Sequence, residues 1–583
     1  MKKITFIFIL FFAVITLSMS GTDGKTSDPE ETFFSRAEFK NNFHLNVPAN
    51  QEHSILFFDG PDSAEVLKKT GGDMLCGFLS AADSQERKSG SRPKKVKSKK
   101  LGRAILINAG LWLSDSIRYW SMYAGWIEDW QFELNWKDQK RRFFSFEANK
   151  FDSNPFVTNW AHGLSGAIFY TMARYHRLNT LESMLFGMTS SLFWEYVTEW
   201  REVVSINDNF FSGIGGMPIG ESLHRLGHYL NSKPGTFNKV LGYIVNPVMG
   251  LNDLLGGKKW RRHFEQPSSE ALDGGLYFSQ KQVSFRGSEK WTAPFFHIGL
   301  ETRYNTIPGY GKPDDAGDSR FINKPLVSDL NIDITLGEKS LKEYIFFTKV
   351  VIFGHFSQKI RQNSAKELHG YSLYFGAGSA FELFRKKSTA YYDKGEYHYD
   401  FTGGEQATQP TEFTDKLAII NLIGPVLDLS LYSGPFKFGL SLGAYFDFGM
   451  IHSMAINKYS TVYDIYEPRM KTTLSHYGYH YAFGFTLSGS STLRYRNVEL
   501  SGRLKYQYYD SIEGLDRFWD MVVDDCNVTD YRLTYKVSAG YSIPNSPVQI
   551  IFACEGIERE GSIKEISHRE SETRYYTQLK LSF

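Results

Sequence analysis

The chain has 583 residues, room for two or three domains. Its 66 Lys and Arg stand against 64 Asp and Glu, which excludes the basic excess of a nucleic-acid-binding protein. Aromatic residues make up 16% of the chain, with 47 Phe and 34 Tyr, a load that suits the interfacial girdles of a membrane barrel better than a soluble enzyme.

Lys2 and Lys3, the apolar run Ile4 to Leu17 and the small residues around Ser20 predict a signal peptide over residues 1–20. The run is too short to span a bilayer comfortably. No Cys follows it, which argues against a lipoprotein anchor. Residues 21–100 are polar, and the stretch from Arg87 to Lys100 reads as a solvated linker, with contact to acidic lipid headgroups as the alternative. The three cysteines, Cys76, Cys526 and Cys554, have no metal-binding spacing.

Residues 101–265 carry helical periodicity, clearest over Trp160–Arg177, Leu181–Trp200 and Pro218–Tyr229. Gly163, Gly166, Ala167 and Gly187 permit close helix contact. The expectation is a helical domain packed in the periplasm or against the inner leaflet. Beyond the signal no apolar stretch is long enough for a membrane helix, so a membrane crossing requires a closed barrel.

From about residue 274 to 583 the period becomes two. Phe436, Phe438, Leu440, Leu442, Ala444, Phe446 and Phe448 share one face, opposite Lys437, Tyr445 and Asp447. The pattern recurs at Leu330–Leu336, Val498–Tyr506 and Tyr531–Tyr541, over lengths that exceed ordinary soluble strands. Short turns alternate with long polar loops at about 384–412, 451–475 and 511–528, the periplasmic-turn and extracellular-loop asymmetry of outer-membrane barrels. Twelve strand starts can be placed, and about 306–325 reads as a long loop on the turn side. The terminal Tyr575, Leu579, Leu581 and Phe583 share a face, resembling the signal read by the barrel assembly machinery. The fold class is therefore α+β: an N-terminal helical periplasmic domain, then a transmembrane antiparallel β-barrel of about 12 strands.

Polar residues that could carry chemistry concentrate between Asn154 and Asn252. Glu195 and Glu199 are one helical turn apart. With His162 and Asp208 they form the candidate catalytic set, either as ligands of a divalent metal or as a carboxylate-oriented general base with water or Ser165 as nucleophile. Asn159, Tyr170, Arg174, Asn207, Glu221 and Arg225 are candidate binding residues. The alternative is a buried hydrogen-bonded network that fixes helix packing. His224 and His228, spaced i, i+4, suit a metal pair or a solvated face. In the barrel, Ser475, His476 and His480 near a rim raise a second hydrolase reading. The segment names no cofactor.

The ordered set Asn159-Trp160-Ala161-His162, Gly166, Tyr170, Arg174, Trp194-Glu195, Glu199, Ser205-Ile206-Asn207-Asp208, Gly215-Gly216, Gly220-Glu221, Arg225 and Asn246-Pro247 resembles the uncharacterised bacterial family called domain of unknown function 3943, over about residues 150–256. The chain departs from that pattern at Gly163 and at Val203-Val204, where prolines are expected. The resemblance implies an envelope location and brings no established activity.

The reading is an outer-membrane protein with a structural, envelope-maintenance or transport role. The alternatives are an envelope lipid or glycan hydrolase centred on His162, Glu195, Glu199 and Asp208, and a narrow solute channel. The expected partners are outer-membrane lipid and the assembly machinery, with room for a periplasmic partner and no nucleic acid.

Overall fold

A computed structural model describes residues 99–123, 131–154, 156–256, 271–285, 293–337, 340–387, 414–456, 458–459, 470–516 and 525–582. The expected signal peptide and most of the polar segment after it lie outside these residues, as do large parts of the long loops.

Twelve strands form a meander: β1 (Ala271–Phe285), β2 (Phe295–Asn305), β3 (Val327–Gly337), β4 (Ser340–Gln362), β5 (Leu368–Lys387), β6 (Thr414–Gly434), β7 (Phe436–His452), β8 (Tyr479–Tyr495), β9 (Val498–Ser511), β10 (Val528–Ser542), β11 (Val548–Ile563) and β12 (Ile566–Ser582). Each pairs antiparallel with its sequence neighbours. β12 also pairs with β1, from Glu572 opposite Phe285 to Ser582 opposite Gly275, and this closes the cylinder. Closure leaves no edge with unpaired backbone groups, the condition for crossing a bilayer with strands. The expected long loop at 306–325 is corrected: it contains an additional strand, Asp314–Ile322, paired with the end of β4 that projects beyond β3. Cys526 and Cys554 are not bridged to each other.

Ion pairs between opposite walls identify the inner face. Arg303 of β2 meets Asp428 of β6 at 2.7 Å, Arg503 of β9 meets Glu301 of β2 at 2.6 Å, and Arg574 of β12 meets Glu343 of β4 at 3.0 Å. Lys505 of β9 reaches Glu382 of β5, and Arg532 of β10 reaches Asp415 of β6. The lumen is thus tied wall to wall by charged side chains. The alternate residues form an apolar outer face, exposed at Leu504, Val537, Phe552 and Leu579.

The longer helices are α1 (Leu101–Arg118), α2 (Trp136–Phe144), α3 (Phe156–Tyr175), α4 (Thr180–Phe193), α5 (Gly216–Ser232), α6 (Thr236–Val245) and α7 (Pro247–Gly256). Asn179 and Glu182 begin α4 with a reciprocal capping box, which satisfies two of its free amides. α3 and α5 lie along the outer face of the barrel. Phe448 and Phe381 point outward, yet both are buried. Phe210 stacks on Phe448 at 4.4 Å, and Phe211 packs edge-on against Phe381 at 6.3 Å. Ser222 of α5 and Thr348 of β4 are hydroxyl to hydroxyl at 2.6 Å. Asn159 donates to the phenols of Tyr479 and Tyr481 at 2.9 and 2.6 Å. Near the tight-turn end, Arg225 donates to Thr306 at 3.2 Å.

α3 and α5 cross with almost no side chain between them. A Cβ on Gly216 would lie 2.5 Å from the Gly166 carbonyl carbon, and one on Gly220 would lie 2.7 Å from the Tyr170 ring. Gly216 and Gly220 form the small-xxx-small spacing that lets helix backbones touch. α4 and α1 form a second layer outside α3, joined by the Trp112–Phe193 stack at 4.2 Å and by Asn108 donating to Ser190 at 3.1 Å.

Candidate functional site at the long-loop rim

The chain leaves regular helix where polar residues gather. α4 passes into a π-helical turn, Trp194–Thr198, and a second π turn, Phe210–Gly215, precedes α5. Such turns re-aim side chains and often mark functional positions. Asn149–Lys150 and Val204–Ser205 pair in parallel beside them, and Phe151 donates its amide to Leu515, in the loop beyond β9. The site therefore sits level with the long loops, past the ends of the strands.

Here Glu195 accepts the Ser205 amide at 2.8 Å and hydrogen-bonds to Asp208. Asp208 also lies 3.3 Å from His162 Nε2 and accepts from Asn207 at 2.8 Å. Glu199 accepts the Trp194 indole N–H at 2.8 Å, and Tyr119 donates to Glu202. Beneath them Arg142 is fully buried. Its guanidinium donates to the carbonyls of Glu202 at 2.7 Å, Tyr196 at 2.9 Å and Glu199 at 3.0 Å, and also to that of Glu195. Among the described residues, the one arginine within the cluster thus bonds backbone oxygens rather than the carboxyl groups.

The electrostatic consequence is direct. Burial, followed by repulsion from Asp208, raises the carboxyl of Glu195 well above the ordinary range, and burial, followed by repulsion from Glu195, does so for Glu199. Burial does the same for Asp208, reinforced by Glu199 and Glu202 and opposed by the hydrogen bond from Glu195. Glu202 is raised by burial and eased by Tyr119 and Arg142. Burial therefore favours the protonated form at all four carboxyls.

The ten sequence-derived residues separate into three groups. His162, Glu195, Glu199, Asn207 and Asp208 meet at the rim. Tyr170, Arg174, Glu221 and Arg225 form a distinct cluster between α3 and α5: buried Glu221 accepts from Tyr170 at 2.8 Å, Arg174 at 2.8 and 3.2 Å, and Arg225 at 2.7 Å. Asn159 faces the barrel. Ser165 is exposed on α3. The solvated face expected for His224 is corrected, because α5 packs that residue into the interior, its ring 4.4 Å from that of His228. Among the described residues no group of three or more His, Cys, Asp or Glu is arranged to hold a metal ion. His480 is buried on the lumen face with neither ring nitrogen hydrogen-bonded, and the side chains of Ser475 and His476 lie outside the described residues. Sequence reasoning missed Arg142, Tyr119 and Glu202. Arg142 left no signal, since its partners are carbonyls distant in sequence.

The architecture defines the class: an outer-membrane β-barrel fold, closed by twelve strands with an apolar outer face and a helical region docked beside it. Residues 148–248 match the family described as Domain of unknown function (DUF3943). No curated protein matches the chain. Among solved structures it is similar to OmpT, an outer membrane protein of Vibrio cholerae in its trimer form, at 6% identity and TM-score 0.20, covering 54% of this chain and 100% of that one. It is similar to KdgM porin at 9% identity and TM-score 0.17, covering 53% and 99%. It is also similar to the translocator domain of the autotransporter NalP from Neisseria meningitidis at 9% identity and TM-score 0.18, covering 57% and 95%.

Proposed function

We propose that this protein is an outer-membrane barrel that works from its flank, in envelope maintenance or lipid handling, and that it is not a solute channel. The observation that carries this reading is the docking of α3 and α5 on the outer apolar face, which puts the polar rim site beside the barrel instead of inside it. The wall-to-wall ion pairs support it, because each one obstructs the path a solute would take. In this proposal the tight turns face the periplasm. The helical region then runs from the periplasmic end up the flank, where the sequence led to the expectation of a domain in the periplasm or against the inner leaflet. The amphipathic β12 supports assembly by the outer-membrane machinery. Purified protein in planar bilayers is expected to give no steady conductance, whereas regular single-channel steps would refute the proposal.

A hydrolytic reading rests on the His162–Asp208 contact at 3.3 Å. It is tested by mass spectrometry of outer-membrane lipids from cells lacking the protein and from cells restored with the natural chain or with Asp208→Asn. A species that changes on deletion and returns only with the natural chain supports it. Three identical profiles, with the two restored strains holding equal amounts of the protein, exclude lipid chemistry.

A further inference from the structure

We infer that the outer layer of the helical region, α1 with α4, is covered by the acyl chains of the bilayer that surrounds the barrel. The inference rests on the membrane reading above and adds where the helices lie within it.

Four observations converge. Leu106, Leu113 and Ile117 of α1 and Leu181, Leu185 and Leu192 of α4 are all exposed large apolar side chains, Leu106 at 73%. On a soluble domain a contiguous face of this kind marks an interaction surface. Second, charge is confined to the two ends. From Ala104 to Ser114 on α1, and from Ser183 to Phe193 on α4, there is no charged residue. Eleven helical residues make a neutral band of about 16 Å. At its tight-turn end Lys99 pairs with Glu182. At its rim end stand Asp115, Arg118 and Arg201, and the long arginine stems let their charged heads reach water while the band stays apolar.

Third, indoles stand at the rim end of the band. Trp120 stacks on Trp200 at 5.8 Å, and Trp194 packs edge-on against the buried Tyr119 ring at 6.0 Å. Amphipathic rings collect at this depth of a membrane interface. Fourth, the layer is continuous with a surface of the same chemistry. The helices are built on the barrel's outer face, and the uncovered remainder of that face exposes Leu504, Val537, Phe552 and Leu579. No described helix is long and apolar enough to cross a membrane by itself. Contact with lipid is therefore lateral, held by the barrel.

The test uses the full chain in phospholipid nanodiscs, its native cysteines replaced by serine, with a nitroxide label on Leu185→Cys and, separately, on Leu106→Cys. Leu504→Cys on the open barrel face is the reference. The inference predicts that dissolved oxygen relaxes both helix labels more than a water-soluble nickel chelate does, with a ratio within about twofold of the reference. A nickel-dominated response at both helix sites, with Leu504→Cys still in lipid, overturns the inference and leaves the barrel reading standing. Labels reached by neither reagent mean that protein covers the face, and also overturn it. A nickel-dominated response at Leu504→Cys refutes the membrane reading itself, and the inference with it.

Discussion

Two acidic centres occupy the same helical region and are treated in opposite ways. Around Glu221, two guanidinium groups and a phenol meet one carboxylate, so every charge has a partner at hydrogen-bond distance. Around Glu195, four carboxyl groups gather, and the nearby Arg142 is committed to backbone carbonyls. The first arrangement is complete and can serve packing alone. In the second, burial pushes carboxyl pKa values up and Arg142 hydrogen-bonds only backbone carbonyls there, a perturbation associated with sites that bind or react. In the function proposed above, the rim is the centre and Glu221 its support.

The comparison can be broken at its stronger side first. Glu221→Ala would leave the half-buried guanidiniums of Arg174 and Arg225 without their carboxylate, at a cost of up to about 3–5 kcal/mol. Deuterium exchange is expected to show α3 and α5 opening while the barrel remains heat-modifiable on gels. Arg142→Met removes the donor of four carbonyls, and unsatisfied buried groups of this kind cost about 1–3 kcal/mol each. Its effect should be confined to residues 194–202, read as faster amide exchange there. Gly216→Leu forces apart the contact with Gly166, and overpacking of this sort costs about 1–3 kcal/mol. Crosslinking between α3 and α5 should fall accordingly.

The smallest effect sharpens the contrast. A carboxyl whose folded pKa is raised weakens the fold progressively as pH rises above its unfolded value, about 4.3 for glutamate. The natural helical region is therefore expected to lose protection between pH 5 and pH 8. Glu195→Gln keeps a hydrogen-bonding group without the charge, and should flatten that loss by at most about 1.4 kcal/mol per pH unit. An unchanged pH profile would mean that Glu195 is ionised throughout.

The barrel was legible because period-two alternation is a local signal. Lys437, Tyr445 and Asp447 alternate with the apolar set Phe436 to Phe448, and the lumen-face hydrogen bonds from Asn421 and Thr486 to Asp447 agree with that division. What no alternation encodes is which outward residues meet helix. Phe448 and Leu330 read like Leu504, yet the first two are buried under helices and the third is bare. Lipid and helix ask for the same apolar side chain, so sequence cannot separate them. At the rim, Glu195 and Glu199 were expected on one helical face. The π turn at Trp194–Thr198 instead directs Glu195 to Ser205 and Asp208, while Glu199 caps the Trp194 indole.

The central claim, that the helical region docks on the outside of the barrel, is tested most directly at Ser222 and Thr348. Their hydroxyl oxygens lie 2.6 Å apart, close enough for cysteines there to meet bridging geometry. In a background without native cysteines, Ser222→Cys with Thr348→Cys is expected to form an intramolecular disulfide in intact outer membranes under mild oxidation. A folded barrel in which this pair stays reduced, or bridges only between molecules, would contradict the account.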